Sequence, residues 1–170
     1  MKKILTVAAM ALGLAGPASA QDIMQKGSAG GWNVFLNSAT NGCFIQRETD
    51  QGIFMQIGTE AKMVEMTPDD PIGFLSLWIP GEAPANANPS ELVIVEIGPN
   101  TYLGAAASGT REGFHGATVL AQGSELGFDL RNRRDMKITS TSGTVVEVRL
   151  NASDISTALD ALADCQDDVG

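Results

Sequence analysis

From Trp32 to Leu150 the apolar residues of this chain fall in short runs, each stopped by a turn dipeptide, a glycine or a proline. Runs of this length, alternating with polar residues, are the pattern of strands rather than of long helices. Trp32-Asn33-Val34-Phe35-Leu36 alternates at positions 32, 34 and 36. Asn41-Gly42 tolerates the backbone of a tight turn and leads into Cys43-Phe44-Ile45-Gln46-Arg47-Glu48. Asp50-Gln51-Gly52 turns the chain again, into residues 53–57. Such strands joined by short turns form a meander of antiparallel pairs. Residues 74–79 make a further strand between Pro71 and Pro80, and residues 80–91, rich in Pro, Ala and Asn, read as an exposed loop. Residues 92–97, a Gly98-Pro99-Asn100 turn and residues 102–106 follow, then strand candidates at 117–120, 125–130, 136–139 and 144–150. This spacing predicts a mainly β domain, an antiparallel sandwich or barrel.

The period changes near the end. Ile155, Ala158, Leu159 and Leu162 stand at i, i+3, i+4 and i+7, which is one face of an α-helix. Ser153 is the expected N-cap and Asp154 suits the positive end of the helix dipole. Asp164, Asp167 and Asp168 oppose that dipole at the other end, so fraying is expected beyond Cys165.

The first twenty residues belong to a different regime. Met1-Lys2-Lys3 is a short positive segment, Ile4 to Ala15 is apolar, and Gly16-Pro17-Ala18-Ser19-Ala20 ends in small side chains at the positions a signal peptidase requires. The apolar run falls short of the roughly 20 residues that span a bilayer. Residues 1–20 therefore read as a cleavable bacterial signal peptide, residues 21–30 as a flexible lead-in without periodicity, and residues 31–170 as one domain. A periplasmic or secreted location follows. Loss of Lys2 and Lys3 on cleavage takes the formal charge from −9 to −11. So acidic a chain disfavours nucleic acid and anionic membrane surfaces as partners, since both require positive contact. No later stretch approaches membrane-spanning length.

Cys43 and Cys165 are the only cysteines. In an oxidising compartment an isolated pair is most simply one disulfide. A zinc site would need four ligands and a catalytic thiol a positioned base, and His115 is the one histidine available for either. Neither a metal site nor a cofactor is expected.

Catalytic signals are weak throughout. His115 stands between glycines, as turn and surface residues often do, and no Gly-x-Ser-x-Gly elbow accompanies it. Asp69-Asp70 and Asp167-Asp168 are adjacent acids, usually only solvated charge, although a carboxylate-dependent hydrolase would draw its pair from separate elements. Arg131, Arg133 and Arg134 form the one basic cluster and are the candidate partner contact, because guanidinium groups bind carboxylate or phosphate in a fork. Local pairing with Glu125, Asp129 and Asp135 is the competing use, and it contributes little at a surface. Trp32 and Trp78, within apolar strands, read as core anchors, and an aromatic content of 5% argues against a carbohydrate-binding surface.

Gly31-Trp32-Asn33-Val34, Cys43 soon after, a strand-rich middle and a strand over 145–150 leading into a small closing helix resemble the invasion-associated locus B proteins, exported envelope proteins of alphaproteobacteria. Members of that family often carry further cysteines in mid-domain, and this chain has none there. The resemblance implies a periplasmic β-rich protein with a role in the envelope or in host interaction, and carries over no catalytic residue. The expectation is an exported, non-enzymatic binding or structural protein whose partner is a protein or other envelope component. The rival readings are a secreted inhibitor of a cell-wall hydrolase such as lysozyme, where an acidic domain would complement a basic enzyme, and the carboxylate-dependent hydrolase.

Overall fold

A computed structural model describes residues 22–59, 73–81, 92–107, 113–121, 125–133, 135–140, 143 and 145–169. Its strands are β1 (Ile23–Ala29), β2 (Trp32–Asn37), β3 (Gly42–Glu48), β4 (Phe54–Gly58), β5 (Phe74–Pro80), β6 (Leu92–Ile97), β7 (Asn100–Ala107), β8 (Phe114–Leu120), β9 (Asp135–Ser140) and β10 (Val145–Arg149). Helix α1 (Glu125–Asn132) lies between β8 and β9, and α2 (Ala152–Asp167) follows β10. The ten strands hydrogen-bond into one antiparallel sheet in the order β1-β2-β3-β4-β5-β8-β7-β6-β9-β10. The first five strands follow chain order, and the next three return in reverse so that β8 docks beside β5.

The alternating residues on one face make the core. Val34, Ile45, Ile57, Leu75, Val119, Gly104 and Val93 pair in succession across seven strands, forming a continuous apolar row. Val95 and Ile97 continue it onto Ile138 and Met136 of β9. The sheet rolls: Arg149 and Leu150 at the end of β10 line a small cleft together with Trp32, Arg47, Thr49 and Met55. Helix α2 buries Ile155, Ala158, Leu159 and Leu162 against this interior and packs on β1, β2, β3 and α1. Burial of each large aliphatic side chain contributes about 1.5–3 kcal/mol. The Cys43–Cys165 disulfide, with a Cα–Cα distance of 6.1 Å, fastens the end of α2 to the start of β3. Beside it Gln166 accepts from the Cys43 N–H at 3.2 Å, pairs with the Thr59 hydroxyl, and donates to the Asn41 carbonyl at 3.2 Å.

Three local expectations change. Residues 125–130 form a helix, not a strand: Leu126, Asp129 and Leu130 are buried on one helical face, with Glu125 in the first turn and Arg131 in the last, each matching the dipole. The span 21–30 holds β1, which lacks periodicity because nearly all of it is exposed on both faces. Backbone pairing holds it to β2 through Gly30-Gly31, whose φ values of 54° and 75° suit a two-residue hairpin turn. Finally, α2 is capped by Asn151 rather than Ser153; the Asn151 side chain accepts from the Ser153 and Asp154 N–H groups, and the helix runs on to Asp167.

Candidate binding face

The sequence holds six phenylalanines, and none belongs to the buried core. Five of them project from the side of the sheet opposite the core. The strand register explains this: Phe35, Phe44, Phe54, Phe74 and Phe114 each sit one residue away from a core position, so the pleat turns them outward. Trp78 shares that face, being half-buried, whereas Trp32 is 2% exposed in the core. The expectation of a core anchor is met by Trp32 and corrected for Trp78, because Leu77 takes the inward place on β5.

Register orders these side chains into rows across the strands. The first row runs Phe35, Phe44, Gly58, Phe74, Leu120. Phe35 and Phe44 stack with centroids 5.0 Å apart, and Leu120 is 44% exposed. The second runs Asn33, Gln46, Gln56, Ser76, Thr118 and is wholly polar. The third pairs Phe54 with Trp78 and Trp78 with Gly116, and Phe114 meets Phe54 edge-on at 5.4 Å. Two glycines make room for rings. A Cβ on Gly58 would fall 2.6 Å from the Phe74 ring, and one on Gly116 would fall 2.4 Å from the Trp78 ring. Both rings therefore recline across the neighbouring strand instead of standing upright.

Hydrogen bonds organise the polar row. Trp78 Nε1 donates to Gln56 Oε1 at 3.4 Å, and Gln56 Nε2 donates to Gln46 Oε1 at 2.8 Å. An indole N–H is a donor only, so it sets the direction of both amides and leaves the Gln46 NH2 pointing onward. Ser76 and Thr118 share a hydroxyl–hydroxyl bond of 2.8 Å.

The sequence-derived contact residues lie elsewhere. Arg131 sits in the last turn of α1, where Nη1 bonds Asp160 at 2.7 Å and Ser156 at 3.3 Å. Arg133 Nε stands 3.8 Å from Asp129, within ion-pair range but beyond hydrogen-bond reach, and both atoms are buried without a hydrogen bond. Arg134 and the Asp69-Asp70 pair lie outside the described residues. His115 is part of strand β8, not of a turn; it is half-buried, with Nδ1 3.4 Å from the Gly81 carbonyl. Asp167 and Asp168 are exposed at the end of α2. Among the described residues no three His, Cys, Asp or Glu side chains come together as a metal site.

Asp129, read from the sequence only as a surface partner of the arginines, is a fully buried carboxylate on α1. Its Oδ2 accepts from Asn100 Nδ2 at 2.8 Å and from the Tyr102 hydroxyl at 2.7 Å, which docks α1 onto β7. Burial, and then the hydrogen bond and charge of Asp129, push the Tyr102 phenol well above its ordinary range. The signal for this latch was an acid inside the apolar stripe Leu126–Leu130, legible only once the segment is read as a helix.

No family model and no curated protein matches the sequence. Among solved structures the fold is similar to the crystal structure of invasion associated protein B from Bartonella henselae. The TM-score is 0.54 at 16% identity, over 82% of this chain and 96% of that one. At that identity the likeness is one of fold. None of the helices among the described residues is long and apolar enough to cross a membrane.

Proposed function

We propose that this is an exported, non-enzymatic binding protein of the bacterial envelope, which holds its partner on the outer face of β2, β3, β4, β5 and β8. One observation carries the reading: five of six phenylalanines and Trp78 are turned away from the core onto a single face. These rings are half-buried rather than enclosed in the core, and clustered apolar groups outside a core mark interaction sites. The export signal over residues 1–20, the disulfide, and the shared fold with an invasion associated protein support the setting. The arginine cluster is a weaker contact surface, because Arg131 and Arg133 are already engaged with Asp160 and Asp129.

Affinity capture from an envelope extract tests this. Three baits are needed: the native protein, a face variant with Phe74→Ser and Trp78→Ala, and a charge variant with Arg131→Glu and Arg133→Glu. A component held by the native and charge-variant baits but released by a folded face variant is the expected result. Retention by the face variant would sink the assignment.

A further inference from the structure

We infer that this outer face is a binding site for a linear, uncharged glycan, against the expectation from an aromatic content of 5%, because strand register gathers most of the rings onto one face; the inference rests on the reading above and names the class of ligand. Its basis is the order of the rows. A protein–protein interface keeps its apolar groups central and its polar groups at the rim. Here the arrangement is inverted, with Gln46, Gln56, Ser76 and Thr118 running through the middle and aromatic rings on both sides. A sugar ring carries apolar C–H faces and a girdle of hydroxyl groups. It meets such a surface by lying against a ring while its hydroxyls reach the amides of Gln46 and Gln56 and the half-buried Thr118 alongside; Ser76 is buried beneath and bonded to Thr118.

The dimensions agree with an extended ligand. At a strand spacing of about 4.8 Å, the polar row crosses five strands and is about 19 Å long. Phe74 and Trp78 are four residues apart on β5, so their rings flank the row at a separation of about 13 Å. Both rings reach over glycines, which lets them lie close to the sheet. The polarity of the row adds a chemical requirement. The relay from Trp78 through Gln56 to Gln46 ends in an NH2 group with no acceptor among the described residues, which leaves it able to donate to a ligand hydroxyl or acetamido carbonyl. Among the described residues charge is absent from the rows themselves and enters at the margin, with Glu48 opposite Phe54. In a chain that is 18% charged, so neutral a strip favours a neutral ligand.

Titration of the purified, disulfide-bonded protein with two probes decides the matter: the β-1,4-linked hexamers of N-acetylglucosamine and of glucose, followed by calorimetry and by tryptophan emission. Trp32 is buried, so an emission change reports Trp78. Saturable binding of at least one hexamer is expected, weakened about tenfold by Trp78→Ala, the effect of about 1.4 kcal/mol. Gln46→Glu keeps the shape of the side chain but removes its N–H donors. It should weaken binding to a similar degree while leaving the melting temperature unchanged, which separates loss of a contact from loss of the fold. If neither hexamer binds, or if both variants bind as the native protein does, the glycan assignment is overturned. The envelope capture then tells the two ideas apart. A protein released by the face variant would leave the binding face standing with a different class of partner, whereas indifference of the capture to that variant would remove both.

Discussion

The ring of Trp78 occupies the place that a side chain at residue 116 would fill: a Cβ on Gly116 would stand 2.4 Å from Cε3 and Cζ3 of the indole. The pairing of these two residues across β5 and β8 therefore fixes how the ring lies. Gly116→Ala inserts a methyl group there, and overfilling of this kind costs about 1–3 kcal/mol. Urea unfolding should show that loss. Tryptophan emission should shift as Trp78 is lifted from the sheet, because Trp32 remains in the core. An unchanged emission spectrum would mean that the ring has another resting place.

The Cys43–Cys165 bridge joins residues 122 apart in sequence. Constraining so long a loop acts mainly on the unfolded chain. Replacement of both cysteines by serine should cost about 2–5 kcal/mol in denaturant unfolding. Protein isolated from the envelope should show no free thiol on labelling under denaturing conditions.

Asp129 and Tyr102 provide a test with an internal probe, since Tyr102 is the sole tyrosine of the chain. Its phenol is raised by burial and by Asp129. A raised folded value means that the neutral phenol is the form the fold prefers. The contribution is thus complete below the unfolded value of about 10, and is lost as pH rises from there through the folded value. Ultraviolet titration should find the phenolate absent from the folded protein near pH 10 and appearing with alkaline unfolding. In Tyr102→Phe, stability should depend less on pH in that alkaline range.

Asp129→Ala leaves the Asn100 amide and the Tyr102 hydroxyl without their acceptor. Tyr102 is half-buried and loses its acceptor, and an unsatisfied buried donor costs about 1–3 kcal/mol, whereas Asn100 is exposed and turns to water. The alanine variant should therefore be less stable than Tyr102→Phe, which removes one donor and leaves the Asn100 bond in place. Equal stability of the two variants would show that α1 does not depend on this latch.

Export predicts cleavage after Ala20, so the intact mass of envelope protein should correspond to a chain beginning at Gln21. Retention of residues 1–20 would remove the signal reading.

Much of the sheet was legible because alternation states both the strand and its buried face. The pattern Trp32, Val34, Leu36 is an example, whereas Leu92–Ile97 was legible as an apolar run ended by a turn, which gives the strand but not its buried face. Where both faces of a strand are exposed, as in β1, alternation has nothing to report, and the Gly30-Gly31 dipeptide that turns the hairpin was not read as a turn. The segment Glu125–Asn132 is ambiguous for the opposite reason: eight residues are too few for the helical period to outweigh a short apolar run. The aromatic face was illegible in composition. Six phenylalanines are an unexceptional number, and their concentration on one surface depends on which strands neighbour one another. The pairing of β5 with β8, which brings Trp78 to Gly116, crosses two intervening strands and leaves no local trace.

The last helix covers the first strands. Ribosomes make this chain from the other direction, so β1, β2 and β3 exist for most of synthesis with Val34 and Ile45 facing no lid. The segment that shields them, Ile155 to Leu162, is among the last to appear. Such long-range closure slows folding and leaves half-made chains prone to association. Truncation of a few terminal turns would therefore undo the beginning of this chain rather than its end.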